Sequence, residues 1–478
     1  MAFDAPFPTP LDAYPPPNAA GLLATLSDRL ALDPFNGVAT AIFALALVHT
    51  FSAASIVDAA HRLQHRHDDR ARAAGRPLRP SVRAELLHLF GEVEVVFGLW
   101  AAVLLLVLTL GRGWHAAVHY VNDSVVYTEP LFVVVIMTLA ATRPVIVAAE
   151  SALRRVAALG GGTVAASWVA ILTAGPLLGS FITEPAAMTI CAMLLGRQFY
   201  ALGPTIRLKY ATLGLLFVNV SIGGTLTHFA APPVLMVARE WAWDTPFMLT
   251  HLGWRALIAI AISTGVYFLL FGRELRALSA RAGIVAVERP DEEEDGRHGA
   301  LLPVPAWITF VHAGFMAWTV FTAHYPALFL GGFLFFLGFA RATTPYQSEL
   351  SLRAPLLVGF FLAALVLHGG LQGWWIAPTL ASLSQTPLFV GSAILTAFND
   401  NALITYLSTL VPDLSETMRI AVVEGAVTGG GLTVIANAPN PAGQALLARF
   451  FGGAVHPLGL LAAALVPTLV SALIFRGF

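Results

Sequence analysis

Apolar runs of about 20 residues, the length that spans a hydrocarbon core, recur along this chain and leave it few alternatives. In lipid only helices and closed barrels satisfy their own backbone, and these runs are too long for barrel strands. The chain therefore reads as an all-α polytopic membrane protein. Of its 478 residues 57% are hydrophobic and 12% charged, against about 25% charged in soluble domains, which excludes an ordinary soluble enzyme. A single cysteine, Cys191, excludes an internal disulfide and a CxxC site. A formal net charge of -1 with one lysine, Lys209, gives no nucleic-acid footprint. The opening MAFDAPFPTPLDAYPPPNAA has no basic n-region or apolar h-region, so no cleaved signal peptide is expected.

About ten crossings are expected, near 37–60, 86–110, 130–152, 210–242, 252–272, 303–322, 326–341, 354–372, 417–451 and 457–475. Two of these, 210–242 and 417–451, are long and interrupted and read as broken helices. Two further apolar segments, 162–200 and 380–412, carry polar residues at their centres and read as re-entrant helical hairpins. Cytoplasmic loops concentrate Lys and Arg, so the loop holding Arg62, Arg66, Arg70, Arg72, Arg76, Arg79 and Arg83 is placed inside. Both termini then fall outside. Arg154, Arg155, Arg197, Arg207, Lys209, Arg273, Arg276, Arg281, Arg289, Arg297, Arg341, Arg353 and Arg449 fall inside. Only Arg29, Arg112, Arg239, Arg255, Arg419 and Arg476 lie at or near the outer side, with Arg143 within a span.

The polar stretch 273–302, with its acidic run Asp291–Asp295, reads as a solvated cytoplasmic linker. It separates an N-terminal extramembrane segment (1–36) and a first half (37–272) from a second half (303–478). Each half has three crossings, a hairpin, a broken crossing and a final crossing. Five crossings per half is odd, so the second half is inserted upside down, an inverted-topology repeat. Locally, FITEPAAMTICAMLL (181–195) aligns with AFNDNALITYLSTLV (397–411), setting Glu184 opposite Asp400. GGTLTHFAAPP (223–233) aligns with GGGLTVIANAP (429–439), setting Thr227 opposite Thr433 and Ala231 opposite Asn437.

Gly and paired Pro cannot continue a regular helix. Broken backbone at membrane depth is tolerated only where protein or a water-filled cavity satisfies it. It exposes carbonyls and half-helix ends that coordinate ions. Thr225, Thr227, Thr433, Asn437 and Asn440 add side-chain oxygens there, and His228 could relay protons. Each hairpin tip carries an acid, Glu184 beside Thr183 and Asp400 between Asn399 and Asn401. An unpaired charge at that depth costs about 2.5–3.5 kcal/mol or more, so such acids usually mark an ion path. Either acid could instead cap a half-helix N-terminus. Glu424, on the helix entering the second broken loop, is a further candidate, with Arg419 as a counter-ion or an interfacial residue; Asn219 stands in the counterpart region. Glu92 or Glu94 is expected to pair with Arg143. His115 and His119 read as surface residues.

These motifs resemble the ion transporter superfamily, which includes D-type sodium/proton antiporters, arsenite efflux permeases, the melanosomal P protein and divalent anion/sodium symporters. The bacterial family called putative sodium/proton antiporters is most similar. The resemblance implies an inner-membrane homodimer, a scaffold domain, a transport domain holding both hairpins and both broken helices, and elevator-type movement in some members. Two departures are visible: Thr183-Glu184-Pro185 replaces a Ser/Asn or Asp-Asn tip, and Pro232-Pro233-Val234 lacks a following Asn. The expected activity is exchange of protons for a monovalent cation, sodium, without a cofactor. Glu184 and Asp400 would be the competing sites, and Asn399, Asn401, Thr227, Thr433, Asn437 and Asn440 would supply neutral oxygens. The metal ligands expected for sodium are Asp400, Asn401 and Asn437. The alternative is a sodium- or proton-coupled symporter of a small carboxylate or oxyanion. It is disfavoured because two acids repel an anion. No Walker-type, HExxH or GxSxG sequence is present.

Overall fold

The computed structural model describes residues 7–282 and 302–477, and among them every regular element is a helix. Among the described residues six helices are long and apolar enough to cross a membrane: Phe35–Ala53, Glu94–Arg112, Val164–Ile182, Ile206–Leu226, Thr245–Ala282 and Pro457–Gly477. The number rises to eight if two bent pairs, Trp114–Ser124 with Thr128–Ala140 and Arg353–Gly369 with Gly373–Ala381, each count as one span. The acidic run Asp291–Asp295 lies outside the described residues.

Several elements differ from the sequence reading. The arginine-rich segment expected as a loop after residue 60 continues one helix, Phe35–Ala73, of 39 residues. Its Ala, Arg and Gln are strong helix formers, and it stops before Gly75, at φ 60. The crossing expected at 86–110 is two helices, Val82–Gly91 and Val93–Arg112, separated by extended Glu92. That at 130–152 is also two, Thr128–Ala140 and Arg143–Leu159. Pro144 accounts for the second break, because proline fits the first turn of a helix and not its interior. Trp114–His119 is helical and leaves His115 and His119 exposed, as expected of surface residues. Arg143 Nη1 donates to Leu302 O at 2.8 Å and Tyr346 O at 3.3 Å.

The chain divides into two compact units. The smaller comprises residues 1–130, 356–382 and 410–413. Here the N-terminal helix Leu22–Leu32 is held by Arg29, whose Nη1 donates to Trp374 O at 2.8 Å. Arg112 pairs with Asp33, and Tyr120 donates to Leu367 O at 2.5 Å. The larger unit comprises 131–355, 383–409 and 414–478 and contains every residue of the candidate site.

At the centre of the larger unit runs Ile206–Gly223, buried continuously from Ala211 to Gly223. A helix apolar on all faces belongs in a core. Its three buried polar side chains each make a hydrogen bond: Thr212 accepts from Trp168 Nε1 at 2.9 Å, Asn219 Nδ2 donates to Leu172 O at 2.8 Å, and Ser221 Oγ donates to Val427 O at 2.7 Å. Small residues let backbones approach, as between membrane helices generally. A Cβ on Gly214 would stand 2.7 Å from Ala463 C and 2.8 Å from Ala464 N, on the helix Pro457–Gly477. Gly214→Ala is therefore expected to lower the thermal midpoint in detergent, at a cost of about 1–3 kcal/mol. Gly265→Ala, which would meet nothing within 4 Å, should leave the midpoint unchanged.

Candidate functional site

Two helix pairs and two interrupted helices meet in the larger unit. The first pair is Val164–Ile182 and Glu184–Gln198, joined by Thr183 alone. The second is Gln385–Phe398 and the helix Asn401–Thr409, joined by Asn399 and Asp400. The first interrupted helix runs from Ile206–Gly223 through Gly224–Leu226 to Pro232–Ala238. The second runs from Glu416–Gly429 to Asn440–Leu447. Pro232 and Pro233 open the helix after the first break, where their missing N–H groups cost nothing.

Contacts within the two sets repeat in kind. Thr227 Oγ1 donates to Ser180 O at 2.6 Å, and Thr433 Oγ1 to Ala397 O at 2.8 Å. Gly223 faces Pro176 O as Gly429 faces Ala393 O. Asn219 reaches Leu172 O as Gly425 abuts Phe389 O. Gly224 leaves room for the Glu184 side chain as Gly430 does for Asn401. All four pairs share one register, and in it Glu184 falls opposite Asn401. The sequence alignment, which set Glu184 opposite Asp400, is one residue out of this contact register. The second tip has a longer turn, so its acid stays outside the helix while Asn401 takes the first helical place.

Glu184 is fully buried. Its Oε2 accepts from Asn437 Nδ2 at 3.0 Å, across the two sets, while Oε1 has no hydrogen-bond partner. Asp400 is half-buried, near enough to Glu184 for their charges to act on one another, and its Oδ1 accepts from Ala402 N at 2.8 Å. Asn401 is fully buried; its backbone N–H donates to Ala436 O at 3.1 Å, and neither side-chain polar atom has a partner. Asn440 Nδ2 donates to Gly430 O and Thr433 O at 2.8 and 2.9 Å, leaving Oδ1 unpartnered. Asn437 Oδ1 and Thr183 Oγ1 are likewise buried without a partner. Buried polar groups are normally satisfied. A concentration of bare oxygens on the two tips and the second broken segment has the chemistry of a cation site.

Thr183 sits at φ 74, ψ 150, a region essentially reserved for glycine. The first tip thus holds a β-branched residue in strained backbone beside the buried acid.

The remaining candidates separate. Thr225 Oγ1 bonds Ile222 O at 2.7 Å, within its own turn. His228 Nδ1 meets Thr245 Oγ1 at 2.9 Å. Asn399 ends the helix before the second tip, its N–H donating to Thr396 O at 3.1 Å. Glu424 is buried, and its counter-ion is Arg255, at 2.6 Å, not Arg419. Arg419 stacks on Trp241 instead. Arg255 escaped sequence reasoning because it lies 169 positions away from Glu424. Ser180 escaped it too: its Oγ donates to Gly223 O at 2.7 Å and accepts from Leu226 N at 2.9 Å, satisfying the broken backbone. A serine in an apolar helix gives no signal of that in sequence.

The sequence profile of a family described as "Putative Na+/H+ antiporter" matches residues 34–478. The chain belongs to this antiporter family. A comparison with curated proteins finds no match. Membership in an antiporter family, with the apolar helices above, makes the chain an integral membrane protein of a cation/proton transport family.

Two outcomes are expected from this antiporter's site. Arg255→Met removes the ion-pair partner of buried Glu424 and should cost about 3–5 kcal/mol, read as a lowered unfolding midpoint in detergent; the double change Arg255→Met, Glu424→Gln should recover most of it. Thr183→Gly relieves the strained backbone and should stabilise the fold by about 1 kcal/mol net of the entropy of glycine, visible as a raised midpoint.

Proposed function

We propose that this antiporter exchanges protons for sodium across the bacterial inner membrane, with Glu184 as the shared site. The observation that carries this reading is a fully buried carboxylate with one oxygen unpartnered, accompanied by the unpartnered oxygens of Thr183, Asn401, Asn437 and Asn440. A bare carboxylate at membrane depth is costly. It is relieved by a proton or by a cation, and a site that must hold one of the two, and has room for one, exchanges them. Neutral amide and hydroxyl oxygens suit a monovalent ion, since they add ligands without adding charge. Asp400 at the neighbouring tip adds negative potential that favours the cation.

The repeated contacts support a duplicated frame; an inverted second half, about ten crossings, re-entrant tips and both termini outside complete the reading. In this arrangement the first half-site contributes an acid and the second an amide, so the site is chemically asymmetric although its frame is duplicated. The larger unit would be the moving transport domain and the smaller the scaffold of a homodimer. A small anion as substrate is disfavoured, because two acids in one site repel it and Arg255 is engaged by Glu424.

Glu184→Gln is expected to abolish sodium-driven proton movement in proteoliposomes followed with a pH-sensitive dye, while leaving the protein folded. Exchange at the normal rate would remove Glu184 from the mechanism. Asp400→Asn is expected to abolish coupled exchange as well; an unchanged rate and pH dependence would take Asp400 out of the site and leave Glu184 in it. Sodium, potassium and lithium should differ as driving ions, and dicarboxylates should drive nothing.

A further inference from the structure

A cleft of about 380 Å³ opens between three helices of the larger unit, Ile206–Gly223, Trp254–Ala282 and Pro457–Gly477. Its wall is apolar along most of its length, formed among others by Ala211, Leu270, Phe271, Ala462 and Val466. The two tyrosines that line it have their hydroxyls engaged elsewhere: Tyr267 donates to Ala463 O at 2.5 Å, and Tyr210 accepts from His456 N at 3.0 Å. They therefore present ring faces to the cleft.

One end of this slot is charged. Arg207 lines it, is exposed, and has no hydrogen bond or ion pair among the described residues. Arg273, three residues beyond Leu270 on the same helix, is exposed in the same way. The acid nearby is already occupied: Glu274 accepts from Thr205 N at 2.7 Å and from Thr205 Oγ1 at 2.9 Å, which fastens the ends of the two helices together. Lys209 is spent on Phe450 O at 3.0 Å. Arg207 thus stands at the cleft with no partner among the described residues, near a carboxylate that is already engaged.

We propose that this cleft binds an anionic phospholipid, with the phosphate on Arg207 and an acyl chain along the apolar wall. Basic pockets between membrane helices on the cytoplasmic side hold acidic headgroups, and the arginine distribution of the sequence puts this end inside. A free phosphate would use the arginine and leave the apolar wall wet; a neutral lipid would fill the wall and leave the arginine unmatched. Only a molecule with both parts matches both ends of the slot. The site is separate from Glu184 and does not depend on the exchange reading.

The test is native mass spectrometry of the full chain in detergent, titrated with phosphatidylglycerol and with phosphatidylcholine of the same acyl chains. Phosphatidylglycerol should be retained in preference. Arg207→Gln, at an exposed position, should lower that retention about five- to tenfold, and Ala462→Phe, which fills the slot, should lower retention of the acidic lipid with the unfolding midpoint unchanged. Equal retention of the two lipids, or no effect of Arg207→Gln, overturns the proposal. So does undiminished retention in Ala462→Phe, which would make the acyl contact irrelevant.

Discussion

Lipid offers no hydrogen bonds, so every polar atom placed at membrane depth must find its partner inside the protein. That constraint organises the larger unit. Ser180 exists to bond Gly223 O and Leu226 N where the first helix breaks. Asn440 does the same for Gly430 O and Thr433 O at the second break. Thr227 and Thr433 each tie a broken segment to the helix end beside it. The unpartnered oxygens of Glu184, Thr183, Asn401, Asn437 and Asn440 lie on the two tips and the second broken segment, which is why the exchange reading centres there.

Close approach is what makes this bonding available. Gly223, Gly425 and Gly429 let helix backbones meet at distances that any side chain would prevent. Gly224 and Gly430 do so for the acid and the amide. The glycines are therefore less about flexibility than about bringing a carbonyl or a carboxylate to where it is needed. The charged pair Arg255 and Glu424 obeys the same logic by another route, since a carboxylate on a buried helix is tolerable when a guanidinium lies at 2.6 Å.

Much of this was legible in the sequence, and what was missed has identifiable causes. Gly and Pro in apolar surroundings marked both broken segments, because few other structures accept them there. The tip acids were visible because charge is rare within apolar sequence. The register between halves came out one residue wrong because the two tips differ in turn length, and alignment by chemistry matched acid to acid where the backbone matches Glu184 to Asn401. The break before Pro144 could have been read from proline alone. The helix past residue 60 was hidden by its arginines, which mark a cytoplasmic segment without specifying its conformation. Arg255 could not have been assigned, since nothing local in sequence announces a partner 169 positions away.

The bond from Asn437 Nδ2 to Glu184 Oε2 joins one set of elements to the other, whereas most of the polar bonds described above stay within a set. An amide N–H can only donate, and its attraction to an oxygen depends on that oxygen's charge. The tie is strong when the carboxylate is ionised and weak once the acid is neutral. If Glu184 takes up and gives up a proton as proposed, the charge on its carboxylate would set how firmly these two distant stretches of polypeptide hold each other.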